Sequence, residues 1–270
     1  MQEPIPALRQ FASPPDLVSA AAIVLSRVRT QAPRVHCITN SVAENFTANV
    51  LLALGAIPSM TLSPVEIGAF VSRSDALLVN LGTFGRERRE ATSIAVDTAT
   101  QAGLPWVLDP VFVDRAPQRA TYAQDLLFLR PTAMRLNAAE FAALTGAGAD
   151  LSDVGAYALD RNIAVGLSGA TDLIADGRRA ASIANGDATM AKVTAMGCAA
   201  SAMTGACLAV EKDAFVATAA ALLIIGVAGE MAAETSRGPG SFAVAILDAL
   251  NSIDGDALAA RSRLTLHGIE

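Results

Sequence analysis

Val35-His36-Cys37-Ile38-Thr39-Asn40 is an apolar run of strand length that stops on a polar residue, and the same pattern recurs four times down the chain. Ala76-Leu77-Leu78-Val79 stops at Asn80, Trp106-Val107-Leu108 at Asp109, Met134-Arg135-Leu136 at Asn137, and Ala164-Val165-Gly166-Leu167 at Ser168. Helical patterns lie around and between these runs. In Asp16 to Thr30, for example, Leu17, Val18, Ala21, Val24, Leu25 and Val28 share one face. Such alternation, from about residue 34 to residue 210, predicts a parallel sheet with crossover helices. The runs are apolar throughout, so both sheet faces should be covered. The expected architecture is therefore a three-layer α/β fold with a central, mostly parallel sheet. The Ala-rich segments Ala214–Ser236 and Phe242–Leu250 supply further covering helices. With no linker and no internal repeat, residues 1–270 read as one domain, of which 1–15 form a loose N-terminus.

Composition narrows the function. The chain has 270 residues, is 52% hydrophobic and 17% charged, and carries a formal net charge of -6, which describes a globular chain with a large buried fraction. Lys and Arg form no cluster, which argues against a nucleic-acid partner. Ala214 to Gly229 is uncharged but spans only 16 residues between Asp213 and Glu230, short of the roughly 20 needed to cross a bilayer. It reads as a buried core helix. Met1 to Pro15 lacks the basic-then-apolar order of a signal peptide, so a cytoplasmic location is expected. Cys37, Cys198 and Cys207 form no C-x-x-C pair, and neither disulfides nor structural zinc is expected. His36 falls mid-strand and His267 in an apparent tail, so a Cys–His hydrolase built on Cys198 is disfavoured. The mean hydropathy of +0.41 and uncharged runs such as Ala48–Ser63 predict apolar surface in need of a partner, hence an oligomer.

In a parallel sheet the five polar strand ends share one rim, and ligands of open α/β folds bind outside that rim. A lone Asn or Asp there also serves as a turn former or helix cap. Asp109 precedes Pro110, which favours extended backbone. Glu140 stands three residues after Asn137, a spacing that fits a capping box and equally a hard oxygen ligand for Mg²⁺ beside Asp109. Farther on, Val193-Thr194-Ala195-Met196-Gly197-Cys198 feeds an apolar helix of small residues, Ala199 to Leu208. Free amides and the dipole at that helix start make an anion site, with Gly197 loosening the turn. Cys198 in the first turn should have a lowered pKa and act as base or nucleophile; the alternative is a small packed thiol. An anion site facing a magnesium site suggests phosphoryl transfer. The chain has no G-x-x-x-x-G-K-[ST], no G-x-G-x-x-G after its first strand and no G-x-S-x-G elbow.

Arg34-Val35-His36-Cys37-Ile38-Thr39-Asn40, Asn45-Phe46-Thr47-Ala48-Asn49 and Leu51 to Met60 closely resemble the opening of the hydroxyethylthiazole kinases, thiamine-salvage enzymes of the ribokinase-like superfamily. The resemblance continues in order through Asn80-Leu81-Gly82-Thr83, Leu108-Asp109-Pro110-Val111, Arg135 to Glu140, Asn185-Gly186, Val193-Thr194 with Gly197-Cys198, and Gly238-Pro239-Gly240-Ser241-Phe242, covering about residues 30 to 250. It implies a ribokinase-like fold and transfer of the ATP γ-phosphate, with Mg²⁺, to the hydroxyl of 4-methyl-5-(2-hydroxyethyl)thiazole. It carries Met60 onto the thiazole pocket and Ala195 onto the anion loop on the acceptor side, where Asn40 and Gly197 join them. Arg135 and Ser168, with Thr194, fall on the ATP side; Asp109 and Glu140 fall by the magnesium; Cys198 takes the place of the superfamily's catalytic Asp. The family's homotrimers put the thiazole site at a subunit boundary, so residues 39 to 60 would complete a neighbour's site.

Three departures stand out. The family's usual Thr-Gly-x-Gly-Cys reads Thr194-Ala195-Met196-Gly197-Cys198 here, the glycine-rich segment after Asp-Pro-Val becomes Phe112-Val113-Asp114-Arg115-Ala116, and Ser168 stands where Thr is common. Ala195 costs roughly 1 kcal/mol if its position requires positive φ. Met196 and Phe112 would narrow the acceptor pocket. A kinase of another small heterocyclic alcohol and a non-catalytic nucleotide or thiazole binder are the alternatives.

Overall fold

A computed structural model describes residues 13–268. The chain runs α1 (Pro14–Gln31), β1 (Arg34–Ile38), α2 (Glu44–Leu54), β2 (Ile57–Ser59), α3 (Ile67–Val71), β3 (Ala76–Asn80), α4 (Arg86–Ala102), β4 (Trp106–Asp109), α5 (Pro117–Phe128), β5 (Ala133–Asn137), α6 (Ala138–Thr145), α7 (Leu151–Arg161) and β6 (Ala164–Ser168). Then come β7 (Asp172–Ala175), β8 (Ala180–Ile183), a 3-10 turn (Ala188–Lys192), α8 (Met196–Val210), α9 (Ala214–Thr235), α10 (Pro239–Ser252), α11 (Gly255–Arg261) and β9 (Leu264–His267).

The strands form one sheet in the order β2-β1-β3-β4-β5-β6-β7-β8-β9. Pairing is parallel from β2 to β6 and antiparallel from there to β9. Successive strand residues point to opposite faces, and each face has its own core. Val35, Cys37, Leu78 and Val107 pack with α1, α8, α9 and α10. Ile38, Leu77, Val79, Trp106 and Leu108 pack with α3 to α7. These two cores on one sheet are the expected three layers, and they explain why the strand runs show no polar alternation.

The uncharged stretch from Ala214 lies in α9, packed among α1, α8 and α10. By length and hydropathy α9 qualifies as a membrane span, yet 83% of its most apolar window is buried within the molecule. Fully buried residues such as Phe215 and Leu223 contribute about 1.5–3 kcal/mol each to holding it there.

Two expectations are corrected. Pro14 and Pro15, assigned to the loose N-terminus, form the first turn of α1, where a missing N–H costs nothing; the Ser13 N–H and Oγ donate to Asp16 Oδ2, both at 2.9 Å. The rest of that segment, residues 1–12, lies outside the described residues. His267 is not in a tail. It ends β9, which pairs with β8, and its Nε2 lies 2.8 Å from Ser182 Oγ. A four-residue strand after α11 carries too short a pattern to read in isolation.

Candidate active site

The parallel register brings the strand ends together. Asn80 pairs with Asp109 across β3 and β4, and Asn137 with Ser168 across β5 and β6. Asn40 lies just beyond β1 and reaches into the same place: its Nδ2 donates to Asn80 Oδ1 at 3.2 Å and to the Cys198 sulfur at 3.3 Å. Asn80 Nδ2 in turn donates to Asp109 Oδ2 at 2.7 Å and to Cys198 at 3.3 Å. Ser201, one turn along α8 from Cys198, donates from Oγ to the same Asp109 oxygen at 2.8 Å. Gly82 permits this closeness, because a Cβ there would sit 2.4 Å from the Asn40 Cβ. Asn80 and Ser201 are site residues that the sequence analysis did not select. Asn80 was visible as a strand end, and Ser201 falls three residues from Cys198, the spacing that shares a helix face.

Asp109 is buried, and its Oδ1 has no hydrogen-bond partner among the described residues. Burial raises its pKa to about 6, against the pull of Arg135 and with a further push from Glu140. A buried carboxylate oxygen without a donor is costly, and points to a ligand.

Cys198 is where the site differs most from expectation. The first helical turn was expected to lower its pKa. Instead burial and the neighbouring Asp109 push it up to about 11, outweighing the amides of Asn40 and Asn80 and the charge of Arg135. The dipole of one helix end is worth at most about 1–2 kcal/mol, less than desolvation beside a carboxylate. At neutral pH the group is a thiol, positioned by two amide donors.

Beside it lies a cavity of about 590 Å³ lined by the polar Arg135, Ser168 and Asp172, by Gly197, and by the apolar Met190, Met196, Leu222 and Ile225. Arg135 Nε donates to Ser168 Oγ at 2.9 Å. Gly197 lets the guanidinium approach the start of α8, since a Cβ there would meet Arg135 Nη1 at 2.6 Å. Thr194 is exposed, and neither it nor Ala195 is among the residues lining this cavity. Ala195 is the N-cap of α8 at φ 69°, the left-handed conformation that makes glycine usual there. Asp172, which sequence reasoning missed, accepts the Gly169 N–H at 2.9 Å, and burial raises its pKa to about 6.

Glu140 closes a capping box with Asn137: the Asn137 N–H donates to Oε2 at 3.0 Å and the Glu140 N–H to Asn137 Oδ1 at 2.9 Å. Its other oxygen accepts the Phe112 N–H at 2.9 Å, tying the β4–α5 loop to α6. Each carboxylate oxygen keeps a free lone pair, so capping and metal ligation are compatible. Among the described residues no group of three or more His, Cys, Asp or Glu side chains is placed to hold a metal.

Met60 follows β2 on the outer side of the rim and is half-buried against the α8-side core. His36 brackets it, with Nδ1 2.8 Å from Ser59 Oγ and Nε2 3.1 Å from the Thr61 carbonyl. His36 thus holds the Met60 segment, with both ring nitrogens engaged there.

One mostly parallel nine-stranded sheet between two layers of helices, with its polar strand ends meeting the start of α8 beside a cavity, is a ribokinase-like fold. A solved ribokinase-like superfamily protein from Enterococcus faecalis shares the fold, with TM-score 0.67 at 12% identity over 94% of this chain and 99% of that one. The chain belongs to the hydroxyethylthiazole kinase family, whose model matches residues 25–256. A relative described as a probable hydroxyethylthiazole kinase, from Agrobacterium fabrum, is 43% identical over 244 residues, covering 90% of this chain and 94% of its own. The solved hydroxyethylthiazole kinase of Pyrococcus horikoshii superposes with TM-score 0.88 at 34% identity, over 92% of this chain and 98% of that one.

Proposed function

We propose that this kinase transfers the γ-phosphate of ATP to the hydroxyl of 4-methyl-5-(2-hydroxyethyl)thiazole, a thiamine-salvage step, within one domain spanning residues 1–270. The observation that carries the reading is the meeting of Asp109, Cys198 and the start of α8 beside the Arg135-lined cavity. ATP occupies that cavity, its phosphates toward Arg135 and Ser168 and its base toward Met190 and Leu222; Thr194, outside the lining, is approached only where the phosphates meet the start of α8. The first-turn amides of α8, Met196 to Cys198, receive the transferring phosphoryl group. The alcohol lies between Asn40, Met60, Ala195, Gly197 and Cys198.

The residues fit Mg²⁺: Asp109 Oδ1, without a partner among the described residues, and the spare lone pairs of Glu140 are hard oxygen donors, and Mg²⁺ takes one or two carboxylates with phosphates and water. Once bound, the cation neutralises charge on the phosphoryl oxygens. Cys198, protonated at neutral pH, orients the alcohol. The proton leaves toward the Asp109 carboxylate, which shares the Asn80 amide with the Cys198 thiol.

The active form is a homotrimer with the thiazole site at the subunit boundary. Exposed Leu52, Ile57, Val65 and Phe70 along the β2 edge supply the apolar surface such a contact requires. The reduced state of Cys37, Cys198 and Cys207, all free, suits the cytoplasm. A turnover assay across thiazole and pyrimidine alcohols tests the assignment: the hydroxyethylthiazole should have the highest kcat/KM, and a better pyrimidine substrate would replace it.

A further inference from the structure

Five side chains form an alternating column over the rim. The Arg89 guanidinium lies 5.1 Å from the centre of the Phe84 ring, Arg119 lies 5.8 Å from Phe84 and 6.0 Å from Phe112, and Arg115 lies 5.9 Å from Phe112. Arg119, half-buried in the first turn of α5, is thus sandwiched between two rings, an arrangement suited to its planar cation. Its Nη1 also donates to the Val111 carbonyl at 2.8 Å. The column joins the loop after β3 to the loop after β4. Both loops carry non-glycine residues in the left-handed region, Thr83 at φ 50° and Phe112 at φ 60°, a conformation that persists only where the surroundings impose it. The strained Phe112 is the residue whose N–H reaches Glu140 Oε1.

We infer that Arg119 is a positioning residue for phosphoryl transfer: by gripping Val111 and stacking between Phe84 and Phe112, it holds the Phe112 N–H on Glu140 and so aims that carboxylate. The inference rests on Glu140 serving the metal-bound phosphates. Burial works against the Arg119 cation and the charge of Glu140 partly offsets it, so the clamp and the carboxylate it aims attract each other. Arg119 itself does not line the cavity beside Cys198.

The test titrates Mn²⁺ into the ADP-saturated full chain and follows hydrogen exchange at the Phe112 amide. Arg119→Met keeps the bulk of the side chain but loses its charge and its bond to Val111. It should weaken Mn²⁺ binding roughly 10-fold, as removal of a carboxylate's outer partner does, lower kcat more than it raises the KM for ATP, and speed exchange at Phe112. Adding Phe112→Gly should recover most of the loss, because glycine holds positive φ without a clamp; a merely structural role for Arg119 predicts no such rescue. Wild-type Mn²⁺ affinity and wild-type exchange in Arg119→Met would overturn the inference, as would a double variant no better than the single one. If Arg119→Met does not fold, Phe84→Leu opens the same sandwich from its other side and should shift both readouts in the same direction, and wild-type values there would overturn the inference equally. A wild-type protein that binds no Mn²⁺ with ADP overturns the metal reading, while exchange at Phe112 still decides whether Arg119 clamps the loop.

Discussion

Asn80 bonds the Asp109 carboxylate at 2.7 Å with the same amide nitrogen that lies 3.3 Å from the Cys198 sulfur. One side chain thereby fixes both groups that would handle the acceptor's proton. It also directs the donors onto Oδ2 of Asp109 and leaves Oδ1 for a ligand.

Cys198 should orient the acceptor more than it takes its proton, because its thiol is pushed up to about 11 by burial and Asp109. Cys198→Ala is expected to lower kcat by about 10-fold, below the 10²–10⁴ typical of a lost general base. Cys198→Asp should equal or exceed wild type, since a carboxylate accepts the same two amide donors. Steady-state kinetics at saturating ATP read both, and a Cys198→Ala enzyme at the wild-type rate would remove the thiol from the mechanism.

Ala195 holds φ 69° at the start of α8. Ala195→Gly should relieve strain by up to about 1 kcal/mol net of glycine's extra chain entropy, and raise Tm by about 2–4 °C for a chain of this size. A thermal melt decides it; a lowered Tm would mean that the left-handed cap costs nothing here.

His36 titrates against stability. Burial lowers its pKa from 6.5 to about 4, so between those values the unfolded chain binds a proton that the folded protein does not. The histidine's own contribution to stability is therefore level above about pH 6.5 and is lost as pH drops toward 4, by about 3 kcal/mol, while Asp109 and Asp172, raised to about 6, act in the opposite direction below that pH. In His36→Gln that contribution to the slope should vanish. Denaturant titrations across this pH range compare the two, and an unchanged slope would count against the assignment.

The layers of the fold were legible because the strands are apolar on both faces and the crossover helices are amphipathic, patterns carried by local sequence. The polar strand ends Asn40, Asp109 and Ser168 led to the rim for the same reason. The Cys198 titration was not legible: the helix start is visible in sequence, but its burial against Asp109 comes from β4 lying beneath α8. Likewise the Arg119 column joins α4, α5 and two loops across 35 positions, from Phe84 to Arg119, and no local pattern announces it. Glu140 was correctly readable as a cap at its own spacing, while its second bond, to Phe112, depends on the strained loop after β4.

The most direct measurement follows ADP and thiazole phosphate together when ATP, Mg²⁺ and 4-methyl-5-(2-hydroxyethyl)thiazole are supplied to the wild type and to Asp109→Asn. The wild type should form the two products in equal amounts, and Asp109→Asn should turn over roughly 10²–10⁴-fold more slowly while keeping its fold. No thiazole phosphate from the wild type, or undiminished turnover in Asp109→Asn, would contradict the account.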